Sequence, residues 1–162
     1  GVRAQPSPRA RDRALNGYLF DTDVISLLAP HRPGVPEGFA SWAEEQDRLE
    51  QLYLSAVSVH ELEKGVRLLD SRGATRKARS LESWLRALVK HHADVILPVT
   101  AEVAQVSGEL EAKAVANGFT SGASDAMIAG TAHHFGLVLV TRNVKHFEPF
   151  EIAVTGVEGL VV

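Results

Sequence analysis

Three acidic residues stand where an apolar segment passes into a helix pattern: Asp21, Glu61 and Asp125. Asp21 directly follows Tyr18-Leu19-Phe20, an apolar run typical of a buried strand. In open α/β sheets, ligands bind outside the carboxyl ends of the strands, and acids at such junctions lie along that edge. Gathered carboxylates repel one another unless a cation neutralises them, and oxygen ligands of this kind favour Mg²⁺ or Mn²⁺. The chemistry that such a cation serves best is phosphodiester hydrolysis.

Each acid also has a structural alternative. Ser58 and Glu61 match a capping box, in which the glutamate bonds back to the cap residue. Asp125 follows Ser124 at a predicted helix start, where the helix dipole favours a carboxylate. Asp21 is likewise a suitable cap for the short helix that follows it. Capping accounts for each acid separately, but it leaves unexplained why three separate junctions all carry one.

Strand and helix patterns alternate along the chain. The predicted strands are a run from Tyr18 to Asp21, then 52–57, 95–97 and 137–141, with 151–154 as a candidate edge strand. The predicted helices cover 22–28, 39–47, 58–70, 74–91, 100–117 and 125–135. This alternation predicts an α/β fold with a mostly parallel sheet and helices on both faces.

Length and composition favour one domain. The chain has 162 residues, of which 45% are hydrophobic, and we expect a single domain over residues 18–162. Residues 1–17 contain four arginines and two prolines without an apolar core segment, and we expect a flexible N-terminal arm or a cloning remnant there. The absence of cysteine excludes a disulfide scaffold, thiolate metal sites and a cysteine nucleophile, and it fits a cytoplasmic protein. No apolar run reaches membrane-spanning length, so no membrane partner is expected.

The charge is −3 overall, and because the N-terminal arm is basic, the domain that follows is more acidic than this figure. An acidic domain cannot hold a nucleic acid by general counterion release, so such a substrate would require local basic patches or bridging metal ions. The densest basic segment contains Arg67, Arg72, Arg76, Lys77 and Arg79. This basic segment is compatible with three interpretations: a solvated helix face, a contact with RNA phosphates, or a contact with an acidic segment of a partner.

Four segments together resemble PIN-domain ribonucleases of the VapC toxin type. They are LFDTDVIS (19–26), YLSAVSVHELEKG (53–65), SDAMIA (124–129) and VTRN (140–143) with Phe147. Each motif is weak alone, but their order and spacing agree from Tyr18 to about Phe150. The resemblance implies a three-layer α/β/α PIN-like domain and an Mg²⁺- or Mn²⁺-dependent endoribonuclease that leaves a 5′-phosphate and a 3′-hydroxyl. It also implies inhibition by a cognate VapB-type antitoxin.

The resemblance assigns metal binding and catalysis to Asp21, Glu61 and Asp125, with the hydroxyls of Thr22 and Thr141 near the site. Two positions depart from the family pattern. Position 23 is usually Asn in such proteins, whereas Asp23 adds a negative charge that binds metal or caps a helix. The fourth acid of the family falls near Asn143, and His146 stands where another acid is often found. Asn143 can supply a neutral oxygen ligand but cannot neutralise a second cation.

Two other functions remain open at this point. Asp21-Thr22-Asp23 also fits the start of haloacid-dehalogenase-like phosphatases, but those enzymes carry a late acidic pair that this chain lacks after Thr141. A non-catalytic PIN-like RNA-binding module is favoured by Asn143 and opposed by the three intact acids.

Histidine pairs and one tryptophan complete the candidates. His91-His92 and His133-His134 are adjacent pairs, and because neighbours on a helix point about 100° apart, we expect solvated side chains and no shared zinc ion. Trp84 lies on an apolar helix face that we expect to be core, and any part left exposed would suit a homodimer or an antitoxin contact.

Overall fold

Alternate residues of the central strands face two separate apolar cores. The computed structural model describes residues 15–160. Phe20 and Leu54 pack into one core, while Leu19 and Leu139 pack into the other. Because side chains alternate along a strand, a sheet buried on both faces requires apolar residues at successive positions. The structure therefore has three layers, with helices on both faces of the sheet, as the sequence predicts.

The described part of the chain forms one five-stranded sheet in which every pair of neighbouring strands is parallel. In chain order the strands are β1 (Tyr18–Phe20), β2 (Leu52–Ser55), β3 (Ile96–Leu97), β4 (Val138–Thr141) and β5 (Val154–Gly156). Their spatial order is β3-β2-β1-β4-β5. The carboxyl ends of β1, β2 and β4 consequently lie side by side at one edge.

The helices connect the strands. They are α1 (Thr22–Ile25), α2 (Phe39–Arg48), α3 (Ala56–Ser71), α4 (Thr75–His91), α5 (Ala101–Ala116), α6 (Ala123–Phe135) and α7 (Val144–Phe147). Helices α1 to α4 supply the core on the Phe20 face, whereas α5, α6 and α7 supply the core on the Leu19 face. None of the described helices combines the length and apolar composition that crossing a bilayer requires.

The boundaries of two predicted regions are wrong, and a third prediction holds. The second strand ends at Ser55, whose hydroxyl accepts the amide N–H of Val57 at 3.0 Å, so α3 begins at Ala56 and the capping box predicted at Ser58 does not form. The predicted short helix over 22–28 is confirmed, as an α-helix to Ile25 that continues as a 3-10 turn to Leu28. The edge strand predicted over 151–154 is shifted to Val154–Gly156, because Glu151 adopts a left-handed conformation (φ 55°) that interrupts the extended chain.

Helices α5 and α6 approach each other unusually closely. A Cβ placed on Gly130 of α6 would lie 1.9 Å from Ser107 Oγ and 2.9 Å from Ser107 Cα of α5. Ser107 is buried, and its hydroxyl donates to Val103 O at 2.7 Å within its own helix. Glycine at position 130 thus allows the tight packing that fixes α6, the helix that carries Asp125.

Residues 1–14, most of the predicted N-terminal arm, lie outside the described residues. Leu15 donates its amide N–H to Phe135 O at 2.7 Å and packs against the core on the Leu19 face. Gly17 accepts a hydrogen bond from Val138 N at 3.2 Å. The last residues of the predicted arm are therefore in contact with the domain.

Candidate active site

A polar cavity of about 400 Å³ opens at the carboxyl edge of the sheet. It is lined by Asp21, Thr22, Asp23, Ser26, Glu61, Asp125, Asn143, His146 and Phe147. The three acids proposed from the sequence are thus brought together with Thr22, Asp23 and Asn143. Thr141 lies beneath the cavity, fully buried, and reaches it through the carboxylate of Asp21.

Asp21 is held at the end of β1 by contacts on both carboxylate oxygens. Oδ1 accepts the backbone N–H of Thr22 at 2.8 Å, which confirms the predicted helix cap, and Oδ2 accepts the hydroxyl of Thr141 at 2.8 Å. Burial and the neighbouring charge of Asp23 raise the pKa of Asp21 from 3.8 to about 7, against the opposing effect of these hydrogen bonds. Asp21 is therefore a buried carboxyl group that lies beside a second acid, Asp23.

Asp23 occupies the position where the sequence departs from the family pattern. Its carboxylate accepts the backbone N–H of Arg142, at 3.2 Å for the closer oxygen, and so joins α1 to the turn after β4. Burial raises the pKa of Asp23, and the hydrogen bond from Arg142 opposes that shift. Asp23 combines a bracing role with a second negative charge beside Asp21.

Glu61 is positioned by α1 rather than by its own helix. The hydroxyl of Thr22 donates to Glu61 Oε1 at 2.8 Å and lies 2.9 Å from Ser58 Oγ. Ser58 is fully buried and sits one turn before Glu61 on α3, so both face Thr22. The structure thus replaces the predicted capping box with a three-residue contact between α1 and α3.

Asp125 lies in the first turn of α6, as predicted, and makes no cap hydrogen bond there. Its Oδ2 is 2.6 Å from Nε2 of His146, and both side chains are about one-third exposed. The His146 ring packs edge-on against Phe119, with 5.5 Å between ring centroids. The imidazole therefore has a fixed position beside the acid, and both groups face the cavity.

Asn143 approaches the acids through its backbone. Its N–H donates to Thr141 Oγ1 at 3.1 Å, while Thr141 donates to Asp21. No cap hydrogen bond is made by the Asn143 side chain, which lines the cavity. The role of its amide oxygen as a neutral ligand stays a prediction.

The donor set of this cavity fits a hard divalent cation. It offers carboxylate, hydroxyl and amide oxygens, and a cation would offset the repulsion between Asp21 and Asp23. Among residues 15–160, the one group of three acidic or imidazole donors whose ligand atoms all lie within 4.8 Å of one another is elsewhere. The cavity acids are therefore spaced more widely than the members of that group.

That other group consists of Asp47, His91 and His92. His92 is buried, so the prediction of solvated side chains for this pair is wrong for His92, while His91 is exposed. None of the three residues lines the acidic cavity.

Sequence reasoning missed two contributors to the site. The sequence pattern assigns Ser58 to a helix cap, although its spacing of three residues from Glu61 places both on one helix face. Nothing local in the sequence indicates the contact of His146 with Asp125, 21 residues earlier in the chain.

The fold and the acidic cavity define a PIN domain: this family matches residues 18–149, and the chain belongs to it, among the VapC-type toxins. The chain is 34% identical over 136 residues to the toxin FitB of Neisseria gonorrhoeae, covering 84% of this chain and 94% of FitB. It is 32% identical over 131 residues to the VapC ribonuclease Y4jK of Sinorhizobium fredii, covering 80% and 89%. The solved structure of FitAcB from N. gonorrhoeae matches with a TM-score of 0.74 and 33% identity over 87% of this chain and 98% of that chain. Membership in this family argues against the haloacid-dehalogenase-like alternative.

Proposed function

We propose that this protein is an Mg²⁺- or Mn²⁺-dependent endoribonuclease that acts as the toxin of a toxin–antitoxin pair. The observation that carries the proposal is the cavity lined by Asp21, Glu61 and Asp125. Within it, burial and the neighbouring Asp23 raise the pKa of Asp21 to about 7. Membership in a nuclease family that uses divalent metals supports it, as does the similarity to a VapC ribonuclease.

The cavity residues would have two roles: some would bind the cation, and others would hold the carboxylates in place. Asp21, Glu61 and Asp125 would hold the cation, directly or through water, with Asp23 and Asn143 as further oxygen donors. When bound, the divalent cation supplies acidification of a coordinated water and stabilisation of the charge that develops on a phosphoryl oxygen. Thr141 and Thr22 hold the carboxylates of Asp21 and Glu61 in place through the hydrogen bonds described above.

The reaction is hydrolysis of a phosphodiester bond. The oxygen of water attacks phosphorus in line with the O3′ leaving group, the P–O3′ bond breaks, and the proton lost by water is balanced by the one gained at O3′. The products are a 5′-phosphate and a 3′-hydroxyl. His146, in contact with Asp125 at the cavity, is placed to relay such a proton.

Cleavage of a panel of structured and single-stranded RNAs tests this function. The purified protein is expected to cut at least one RNA with Mg²⁺ or Mn²⁺ and to stop when EDTA is added. Asp21→Asn and Asp125→Asn should abolish cleavage, whereas Asp94→Asn, at an exposed aspartate outside the cavity, should not. RNA binding without cleavage by the wild type would establish the non-catalytic alternative, and full activity of either cavity variant would overturn the site assignment.

The proposed partner is a VapB-type antitoxin that covers the neighbouring groove. This groove of about 370 Å³ is apolar and is lined by Leu62, Leu69, Leu81 and Trp84. Glu61 lines both the groove and the acidic cavity, so a chain seated in the groove would extend into the site. The similarity to the solved FitAcB complex supports this type of partner.

Inhibition of cleavage by the antitoxin encoded beside the gene tests the partner. Lys77 lines the groove, and Lys77→Glu is expected to weaken inhibition without changing basal cleavage. Arg79→Glu, on the same helix but outside the groove, is the matched control. Equal inhibition of both variants would contradict the proposal that the antitoxin binds in this groove. We further propose a homodimer, which light scattering on the purified protein measures.

A further inference from the structure

A second set of metal-ligating side chains lies at the opposite edge of the sheet. Asp47 is in the last turn of α2, His91 is the final residue of α4, and His92 follows it. Helix α2 leads into the amino end of β2 and α4 leads into the amino end of β3, and these two strands are neighbours. The acidic cavity lies at the carboxyl ends of the strands, so the two sets are on opposite edges.

The three side chains converge on one point. Nε2 of His91 is 3.1 Å from one carboxylate oxygen of Asp47, and Nε2 of His92 is 3.8 Å from the other. One ligand atom from each residue lies within 4.8 Å of the other two. Two ligands at tetrahedral angles on a zinc ion, with bonds near 2.0–2.2 Å, are roughly 3.4 Å apart. The two histidine–aspartate separations, each to a different carboxylate oxygen, lie on either side of that value.

The convergence of adjacent histidines follows from the end of the helix. His92 is the C-cap of α4, and its backbone, with φ −103° and ψ 16°, departs from the helical conformation. The two rings are nearly perpendicular, at 80°, with 4.6 Å between their centroids. The expectation that neighbouring histidines point apart therefore fails at this position.

The contacts of the His92 ring are compatible with metal binding. Nδ1 of the buried His92 is 3.1 Å from Leu88 O, and since a carbonyl only accepts, Nδ1 must carry the proton. Nε2 is then the ring nitrogen that faces the carboxylate of Asp47, at 3.8 Å, and it is the atom available to a metal ion when the ring is neutral. A backbone carbonyl that fixes the tautomer in this way is the usual outer support of a metal-bound histidine.

The surroundings also favour positive charge and leave room for a further ligand. Both helices end here, and the carbonyls of a helix C-terminus favour a cation. A cavity of about 540 Å³ adjoins the three residues and is also lined by Glu44, by His31 and by the positively charged Arg32. Two imidazoles with one carboxylate suit Zn²⁺ better than Mg²⁺, and an open fourth position is filled by water or by a side chain of this cavity.

We propose that Asp47, His91 and His92 form a Zn²⁺ site that links the ends of α2 and α4 at the amino edge of the sheet. The site is independent of the proposed nuclease centre. Its role is structural, because it joins two helices that pack on the same core and lies away from the cavity that holds the acids.

Zinc titration of the protein in excess Mg²⁺ tests the proposal, because Mg²⁺ competes at the acidic cavity. Wild type is expected to bind one Zn²⁺ under these conditions. His91→Gln and Asp47→Asn should weaken that binding by about 100-fold or more, since loss even of an outer support costs 10–100-fold. His91 is exposed, so His91→Gln should fold normally, and circular dichroism checks this.

Two matched variants assign the site. His133→Gln changes an exposed histidine of the other adjacent pair, and Asp21→Asn changes the acidic cavity, and neither should affect the tight zinc. Co²⁺ bound in place of Zn²⁺ should give the visible absorption of a four-coordinate ion in wild type but not in His91→Gln. If wild type binds no zinc tightly, or if His91→Gln and wild type bind zinc equally, the three residues form only an ion pair and no zinc site. Loss of binding in Asp21→Asn would place the zinc in the acidic cavity.

Discussion

Thr141 and Asp21 are 120 positions apart in the chain, and their side chains share a hydrogen bond of 2.8 Å. The hydroxyl of Thr141 donates to Asp21 and accepts from Asn143 N, so one buried group joins the ends of β1 and β4 to the turn that carries Asn143. The hydrogen bond lowers the pKa of Asp21, against the larger effect of burial.

Thr141→Val should therefore weaken both metal binding and stability. The substitution leaves Asn143 N–H without its acceptor and removes the donor to Asp21, so the pKa of Asp21 rises further. The expected loss is about 1–3 kcal/mol in the free energy of unfolding, together with weaker Mn²⁺ binding at pH 7. Urea denaturation and Mn²⁺ titration measure the two effects. Thr141→Ser keeps the hydroxyl and should bind Mn²⁺ nearly as wild type does; equal Mn²⁺ affinity of Thr141→Val and wild type would refute the role of this bond.

The raised pKa of Asp21 predicts how stability depends on pH without metal. Because its pKa is about 7 in the folded state and 3.8 for an exposed aspartate, the folded state binds more protons between these values. Stability is accordingly highest below about pH 4 with respect to this group and is lost as the pH rises through 7.

Asp21→Asn should remove most of this dependence. In EDTA the variant should exceed wild type in unfolding free energy by roughly 2–4 kcal/mol at pH 8, with the difference shrinking toward pH 4. Asp23, whose pKa is also raised, should leave a residual slope. Urea denaturation across this range measures the effect, with Asp94→Asn as the control. A constant difference at all pH values would show that the ionisation of Asp21 is not the cause.

Thr22→Val should impair cleavage through Glu61. The hydroxyl of Thr22 is a donor to the Glu61 carboxylate, and a hydrogen bond to a charged group is worth about 1.5–3 kcal/mol, so cleavage should fall roughly tenfold or more. Thr22→Ser keeps the donor and should restore the rate in the same single-turnover assay with RNA. Wild-type rates for Thr22→Val would mean that Glu61 needs no support from α1.

Asn143→Asp should make the site more dependent on metal. A further carboxylate facing the cavity of Asp21 and Asp23 adds repulsion in the metal-free protein and adds a ligand for the cation. The midpoint of thermal unfolding should fall in EDTA and rise more steeply with Mn²⁺ than it does for wild type. The exposed Asn117→Asp serves as the control for added charge. An unchanged response to Mn²⁺ would exclude position 143 from metal binding.

Two helical glycines offer a matched test of how α6 is positioned. Gly130→Ala places a methyl group 2.9 Å from a backbone atom of Ser107, so α5 and α6 must separate, at a cost of about 1–3 kcal/mol. Gly108→Ala, on α5 with nothing within 4 Å, should instead stabilise the protein by up to about 1 kcal/mol. Urea denaturation compares the two variants, and equal effects would rule out close packing as the reason for Gly130.

Much of the fold follows from local pattern. Apolar runs and helical spacing indicate the order of the strands and helices, and the cap at Thr100 forms as expected, with its hydroxyl accepting Val103 N at 3.2 Å. The boundaries of the elements are harder to predict. Ser55 and Ser58 are equally good caps for α3, and only packing against α1 selects Ser55 as the cap. The conformation of Glu151, which delays β5, likewise has no local signal.

The amino-acid sequence is sufficient to single out the three acids, but the prediction that all three lie at strand–helix junctions holds only for Asp21. Glu61 lies within α3, and Asp125 is in a helix that follows α5 and not a strand. The sequence is also sufficient to indicate the family, through four motifs in order. The partners of these acids emerge only from the folded chain: Thr22 for Glu61, Thr141 for Asp21 and His146 for Asp125. The same holds for Asp47 with His91, 44 residues apart. Such contacts depend on how helices that are distant in the chain pack on the sheet, and no periodic pattern in the sequence predicts that packing.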